Sequence, residues 1–72
     1  MEHTLVKSSS LHSVAYNKKA EILEVAMKNG KLYRFSQVPA TFWKELMIAK
    51  SIGKYFFNNI KDTFPSEFTT WK

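Results

Sequence analysis

The feature that most constrains the fold of this chain is an Asn29-Gly30 pair between two alternating runs of apolar and polar residues. The first run is Leu23 to Met27 and the second is Lys31 to Phe35. An Asn-Gly pair between alternating segments is the strongest short-range signal for a β-hairpin. The sequence therefore predicts two antiparallel strands joined by a tight turn at this point.

The register of this hairpin depends on the length of its turn, because a shift by one residue exchanges the two faces of a strand. A two-residue turn would place Val25 opposite Arg34. A three-residue loop over 28–30, with its glycine in the left-handed bulge position, instead places Val25 opposite Tyr33. It also places Glu24 across from Arg34 on the other face, which is a favourable pair of opposite charges. We predict the three-residue loop.

The size and composition of the chain predict one domain with a dense core. Its 72 residues are 44% hydrophobic and 15% aromatic, and they lie near the lower limit for a domain that folds without staples. The absence of cysteine rules out disulfides and thiolate metal sites and indicates a reducing compartment. The N-terminal residues 1–7 lack the apolar run of a signal peptide, and no later segment approaches the length of a membrane span. We expect a soluble cytoplasmic protein without membrane association.

Three strands are predicted, over residues 10–16, 21–27 and 31–37, with a polar turn at 17–19 between the first two. In the first strand, Leu11 and Val14 are three positions apart, so they share a face only if the strand contains a bulge. Short connections between successive strands favour an antiparallel meander in sequence order.

Two helices are predicted to follow the meander. Val38-Pro39 opens the first, with Pro39 at the first helical position, and Ser51 caps the second, which takes 54–62. The fold class is thus α+β: a three-stranded antiparallel meander with one face covered by two C-terminal helices. The predicted core is Leu23, Val25, Tyr33, Phe35, Phe42, Leu46, Ala49, Tyr55, Phe56 and Ile60.

The chain divides into an extended N-terminal lead-in over 1–9, a single domain over 10–64 and a C-terminal tail over 65–72. The tail still holds Phe68 and Trp71, which are too apolar to be left in solvent. We expect at least one of these two side chains to pack back on the domain.

Short segments spread in order from Val6 to Phe64 resemble the pattern of the KTSC domain family, which is named for the C-terminus of some lysyl-tRNA synthetases. The matching residues are Ser8-Ser9, Leu11, Tyr16, Leu23-x-Val25, Gly30, Tyr33-x-Phe35, Val38-Pro39, Ala49-x-Ser51-x-Gly53-x-Tyr55-Phe56 and Ile60-Lys61.

This chain departs from the family pattern at three positions. Phe35 stands where the family usually has a second tyrosine, Asn17 where it tends to have aspartate, and Met27 where it tends to have phenylalanine. Small stand-alone bacterial and phage proteins also belong to the family. Its members are uncharacterised and RNA binding has been suggested for them, so the resemblance implies RNA as a candidate partner.

The formal net charge of +5 favours an anionic partner. Lys50, Lys54 and Lys61 recur at near-helical steps with Phe57 among them, and this pattern predicts a helix face that holds phosphates and stacks a base. A solvated helix face is the alternative interpretation. A second basic patch is predicted near the hairpin tip, from Lys28, Lys31 and Arg34.

Two other motifs have both a functional and a structural interpretation. Tyr33 and Phe35 resemble the paired aromatic residues on which some RNA-binding sheets stack bases. The predicted register places them under the helices instead, which favours a role in the core. Ser51-x-Gly53 offers backbone N–H groups for a phosphate, although such a pair more often simply turns the chain.

Catalysis has little support in the sequence. His3 and His12 have no metal-site spacing, the carboxylates are scattered, the serines at 8–10 have no partner base, and two glycines cannot form a phosphate loop. We therefore predict a non-enzymatic binding module without metal or cofactor. One hypothesis is nucleic-acid binding, most of all RNA binding. The other is a protein-interaction module that docks on a host protein through an unpaired strand edge and an exposed sheet face, which carries Ile22, Ala26 and Leu32.

Overall fold

The predicted hairpin forms the centre of the structure, a computed structural model that describes residues 1–71. The three-residue loop is confirmed: Leu23, Glu24 and Val25 lie opposite Phe35, Arg34 and Tyr33, and the loop glycine has a φ of 98°. The strands are β1 Thr4–Leu5, β2 Leu11–Asn17, β3 Ile22–Met27, β4 Lys31–Phe35 and β5 Ser66–Thr70, and the helices are α1 Ala40–Ile48 and α2 Ile52–Asn59.

The prediction of a three-stranded sheet is wrong, because the sheet has five antiparallel strands in the order β1-β2-β3-β4-β5. β1 adds to the outer edge of β2 and β5 to the outer edge of β4. Both additions satisfy backbone groups that a three-stranded meander would leave unpaired at its edges. The protein is still α+β. Of the predicted tail, Lys72 lies outside the described residues.

A bulge in β2 decides which of its side chains reach the core. The register shifts between Leu11 and Ser13, and this bulge brings Leu11 and Val14 to the same face although they are three positions apart. Both are fully buried. They pack with Leu23, Val25 and other side chains of the face that the helices cover, which we call the helix face. The opposite side of the sheet is called the open face.

The helices lie close to where the sequence places them. Pro39 is the N-cap of α1 rather than its first residue, and α2 begins at Ile52, two residues earlier than predicted. Ser51 caps α2 as predicted, since its hydroxyl accepts a hydrogen bond from the N–H of Lys54 at 3.3 Å. No helix among the described residues has both the length and the apolar character needed to cross a bilayer.

The predicted core is confirmed in its centre and incomplete at its rim. Six of the ten predicted residues are fully buried: Leu23, Val25, Phe35, Leu46, Phe56 and Ile60. The other four, Tyr33, Phe42, Ala49 and Tyr55, are half-buried. Tyr33 stacks beside Phe35 rather than facing solvent for a base, with 5.9 Å between ring centroids. It lies at the border of the core because β5, the strand beside it, is exposed along its whole length.

Candidate nucleic-acid interface

A cleft separates the segment before β2 from the first turn of α2. Its volume is about 390 Å³. The N-terminal wall is residues 7–10, which contribute Lys7 and three serines, and the helical wall is 50–54 together with Phe57 and Asn58. Lys7, Lys50 and Lys54 thus line one cavity, and its lining contains no acidic residue. The cleft is suited to an anion.

Gly53 sets the width of this cleft at its base. A Cβ atom at Gly53 would lie 3.2 Å from the Ser8 hydroxyl oxygen. That oxygen is held in place, since it accepts hydrogen bonds from the N–H groups of Ser10 and Leu11, both at 3.1 Å. The loop and the helix therefore approach each other as closely as they do because position 53 has no side chain.

Exchange of Gly53 for alanine tests this contact. In the wild-type background, Gly53→Ala should lower the free energy of unfolding by about 1 kcal/mol, since the added methyl group must displace a held hydroxyl. In a Ser8→Ala background the same change should be neutral or stabilising, because alanine is the better helix former. A double-mutant cycle in urea measures the coupling. Equal effects in the two backgrounds would show that the Ser8 hydroxyl does not restrict position 53.

A second cavity, of about 440 Å³, lies next to the first and is lined by residues 9–10, 27–29 and Phe57. Phe57 lines both cavities, and 42% of its surface is exposed. Lys28 enters from the hairpin tip, and the Lys61 ammonium lies 6.0 Å from the Phe57 ring centroid. We call this region the Phe57 surface; it comprises Phe57 and five lysines, Lys7, Lys28, Lys50, Lys54 and Lys61.

The first turn of α2 adds backbone donors to the Phe57 surface. Ile52 and Gly53 lie in the first turn of α2, where no carbonyl of the preceding helical turn exists to accept a hydrogen bond. The helix itself therefore supplies no acceptor for their N–H groups. Both residues line the first cavity. The positive end of the helix dipole acts in the same direction as the lysines.

The structure brings five of the seven predicted site residues to one surface: Lys28, Lys50, Lys54, Phe57 and Lys61. It places Lys31 and Arg34 elsewhere. Successive side chains of β4 point to opposite faces of the sheet, which separates these two residues from each other. The Lys31 ammonium lies 5.4 Å from the Phe68 ring centroid at the β5 edge, and Arg34 lies on the open face. The hairpin tip thus contributes Lys28 to a common surface and does not form a separate patch. Lys7, which sequence reasoning missed, joins through the loop at 8–10.

The open face carries a hydrogen-bonded row of side chains across the sheet. The Arg34 guanidinium donates to Glu24 Oε2 at 2.6 and 2.9 Å, as the charge pairing predicted. His3, which the sequence analysis set aside, lies 2.8 Å from Glu24 Oε1 and 3.0 Å from the Ser13 hydroxyl. The contribution of His3 was not predicted because it depends on the pairing of β1 with β2.

Glu24 is a buried carboxylate, and two features of its environment shift its pKa in opposite directions. Burial favours the neutral form and by itself would raise the pKa of Glu24. The hydrogen bonds and positive charges of His3 and Arg34 together outweigh burial, so the pKa of Glu24 lies below its ordinary value. Glu24 is therefore ionised at neutral pH, and its charge is paired with the half-exposed guanidinium of Arg34.

The side chains of Ser13, His3 and Glu24 form a hydrogen-bonded chain of a hydroxyl, an imidazole and a carboxylate. The Ser13 side chain is buried, and its oxygen lies within hydrogen-bond distance of both His3 and His12, at 3.0 and 3.1 Å. A hydroxyl shared by two imidazoles is well placed to hold β1 on β2. Among the described residues no cluster of three or more potential metal ligands was found.

The part of the open face named in the protein-interaction hypothesis is smaller than expected. Ala26 is buried, and Ile22 and Leu32 are half-buried. The edge of β4 is occupied by β5. Among the described residues the terminal strands of the sheet are β1, which has two residues, and β5, which has five.

Two helices over one face of a five-stranded antiparallel meander define a small α+β domain, and lysines around an exposed aromatic ring give it a basic surface. The model of the KTSC domain family matches residues 7–64. The chain belongs to this family, as its motifs predicted.

Two relatives are similar to this chain over nearly its whole length. An uncharacterized protein of Stutzerimonas stutzeri (strain A1501) is 35% identical over 72 residues, which is 100% of this chain and 97% of that protein. The crystal structure of a KTSC domain protein from Yersinia pestis matches with a TM-score of 0.89 at 27% identity, covering 92% of this chain and 93% of that one.

Proposed function

We propose that this protein binds single-stranded RNA on the Phe57 surface, and that it acts in the cytoplasm as a binding module rather than as an enzyme. The observation that carries the proposal is the position of Phe57, a half-exposed ring shared by two cavities whose charged lining residues are all lysines. Backbone phosphates fit the lysines, and a base fits the ring.

The ion pairs found among the described residues leave the lysines of this surface free. Arg34 is paired with Glu24, and Lys31 lies against Phe68. The lysines of the Phe57 surface have no ion-pair partner among the described residues, because every ion pair found there involves His3 or Arg34. An approaching phosphate therefore meets cations that need not first break a salt bridge.

The exposed ring of Phe57 favours single-stranded RNA over duplex RNA. A base in a duplex is already stacked and paired, whereas an unpaired base is free to stack on Phe57. Stacking of one base on an aromatic side chain contributes about 1–3 kcal/mol. Since every base offers a π-face, we expect little sequence preference.

Titration of labelled RNA at several salt concentrations tests the proposal. Contacts to about four phosphates would give a slope near −3 in a plot of log K against log salt. Lys54→Glu and Lys50→Glu should weaken all sequences alike and make this slope shallower. Phe57→Ala should remove most of the preference for single strands over a duplex of the same length.

Lys19→Glu is the matched control for these lysine changes. It makes the same charge change in the β2–β3 turn, which lies at the opposite end of the central strands from the hairpin tip. It should leave binding nearly unchanged in moderate salt, where distant charges are screened. The proposal is wrong if the folded protein binds no RNA at low salt. It is also wrong if Lys19→Glu weakens binding as much as Lys54→Glu does.

A further inference from the structure

The outer edge of β5 is a second unassigned surface, on the side of the sheet beyond β4. All five residues of β5 are exposed, and Phe68 keeps 63% of its surface accessible. Proteins usually protect sheet edges with short strands, prolines or lysines. β1 is protected in this way by its length of two residues. β5 has no lysine or proline within it, so its edge is open to another strand.

The hydrogen bonds to β4 show which groups of β5 remain free. Trp71 N–H donates to the Gly30 carbonyl, and Ser36 N–H donates to the Pro65 carbonyl. Bonded and non-bonded pairs alternate along an antiparallel ladder. The odd-numbered residues of β5 therefore bond to β4, and the N–H and C=O groups of Ser66, Phe68 and Thr70 point outward.

We infer that β5 pairs with β5 of a second copy of this chain, antiparallel and with the two-fold axis at Phe68. In this register Phe68 faces Phe68 of the copy, and Ser66 faces Thr70. All three outward residues of each strand then form bonded pairs, which gives about six hydrogen bonds. The interface is isologous, as in most homodimers.

Charge and strand length favour this pairing register over the two registers in which the axis is shifted by one residue. With the axis at Phe68, Glu67 lies opposite Thr69 of the copy, and no like charges meet. An axis at Glu67 would place two carboxylates opposite each other, which is destabilising. An axis at Thr69 would move Ser66 beyond the end of the partner's strand. The paired sheet has ten strands, and all four helices lie on one face, because directly opposed residues share a face.

The inference is independent of RNA binding, since the Phe57 surface and the β5 edge share no residue. Added salt should also have opposite effects on dimerisation and on RNA binding. Each copy carries a net charge of +5, so added salt should strengthen dimerisation by screening the repulsion between copies. The same salt should weaken RNA binding.

Sedimentation equilibrium of the full chain, treated with nuclease and measured over a range of concentrations in moderate salt, tests the inference. The wild type should approach the mass of a dimer. The Phe68→Lys variant should be monomeric, because the substitution places two ammonium groups opposite each other at the two-fold axis. Thr69→Lys is the matched control: it adds the same charge one residue away, opposite Glu67 of the copy, and should remain a dimer.

Thr70→Pro and Thr70→Ala form a second pair that does not alter the Phe68 side chain. Proline removes an outward N–H that β4 does not use, so Thr70→Pro should shift the protein toward monomer, whereas Thr70→Ala should not. In the wild type, amide exchange at Phe68 should slow as concentration rises. A wild type that stays monomeric at every concentration would overturn the inference, and so would a dimer that persists in both Phe68→Lys and Thr70→Pro.

Discussion

Replacement of Leu46 by alanine should lower the free energy of unfolding by about 2–5 kcal/mol, a large share of the stability of so small a domain. Leu46 is the fully buried residue of α1, and it belongs to the core cluster between the helices and the sheet. Its removal loses the transfer free energy of the side chain and leaves a cavity under the helix. Urea denaturation followed by circular dichroism measures the loss.

Ile48→Ala provides the control on the same helix. Ile48 has a comparable aliphatic side chain but is 82% exposed, so its truncation should change stability by less than about 0.5 kcal/mol. A loss below about 1 kcal/mol for Leu46→Ala would mean that α1 does not pack on the sheet through this residue. A large loss for both variants would point to helix formation itself rather than to burial.

Replacement of Glu24 by glutamine should cost about 1.5–3 kcal/mol at neutral pH, the range for hydrogen bonds to charged groups. Two effects oppose each other at this site. Glutamine avoids the penalty for burying a charge, but it loses the attraction to Arg34 and weakens the bond to His3. Because half of the Arg34 side chain is exposed, solvent screens part of the ion pair. We therefore expect a cost in the lower part of the range.

The pH dependence of this cost has a defined sign. The folded-state pKa of Glu24 is lowered, so its charge stabilises the protein fully above the unfolded-state pKa, which is about 4.3 for glutamate. The stabilisation falls as the pH drops through the folded-state pKa. The stability difference between wild type and Glu24→Gln should accordingly shrink in acid.

Glu67→Gln is the matched control, since Glu67 reaches the same guanidinium at 4.0 Å but is 77% exposed. It should change stability little at any pH. Denaturant midpoints of the three proteins at neutral and acidic pH make the comparison. If Glu24→Gln and Glu67→Gln behaved alike at neutral pH, the buried row on the open face would have no special role in stability.

The Phe57 surface was predictable in part from local spacing. Lys50, Lys54, Phe57 and Lys61 lie on or beside one helix, and residues three or four positions apart on a helix are neighbours whatever the rest of the fold does. Lys7 was not predictable in this way. It reaches the site because the loop at 8–10 approaches Gly53, and that contact joins segments more than forty residues apart.

The two edge strands illustrate the same limit. β1 has two residues and β5 is exposed along its length, so neither carries the alternation of buried and exposed residues that reveals a strand. Each exists because a neighbouring strand offers unpaired backbone groups. A strand that is held mainly by backbone hydrogen bonds needs no alternation of apolar and polar residues in its sequence. For this reason the sheet was predicted with too few strands.

The sequence by itself determined the central hairpin and its register, the three central strands with the two helices that follow them, and the centre of the core. These features follow from turn chemistry and from apolar periodicity, which act over a few residues. Only the tertiary structure decided the two outer strands, the place of His3 beside Glu24 and the gathering of Lys7 and Lys28 around Phe57. These features depend on contacts between distant segments, and such contacts are fixed by the packing of the whole domain.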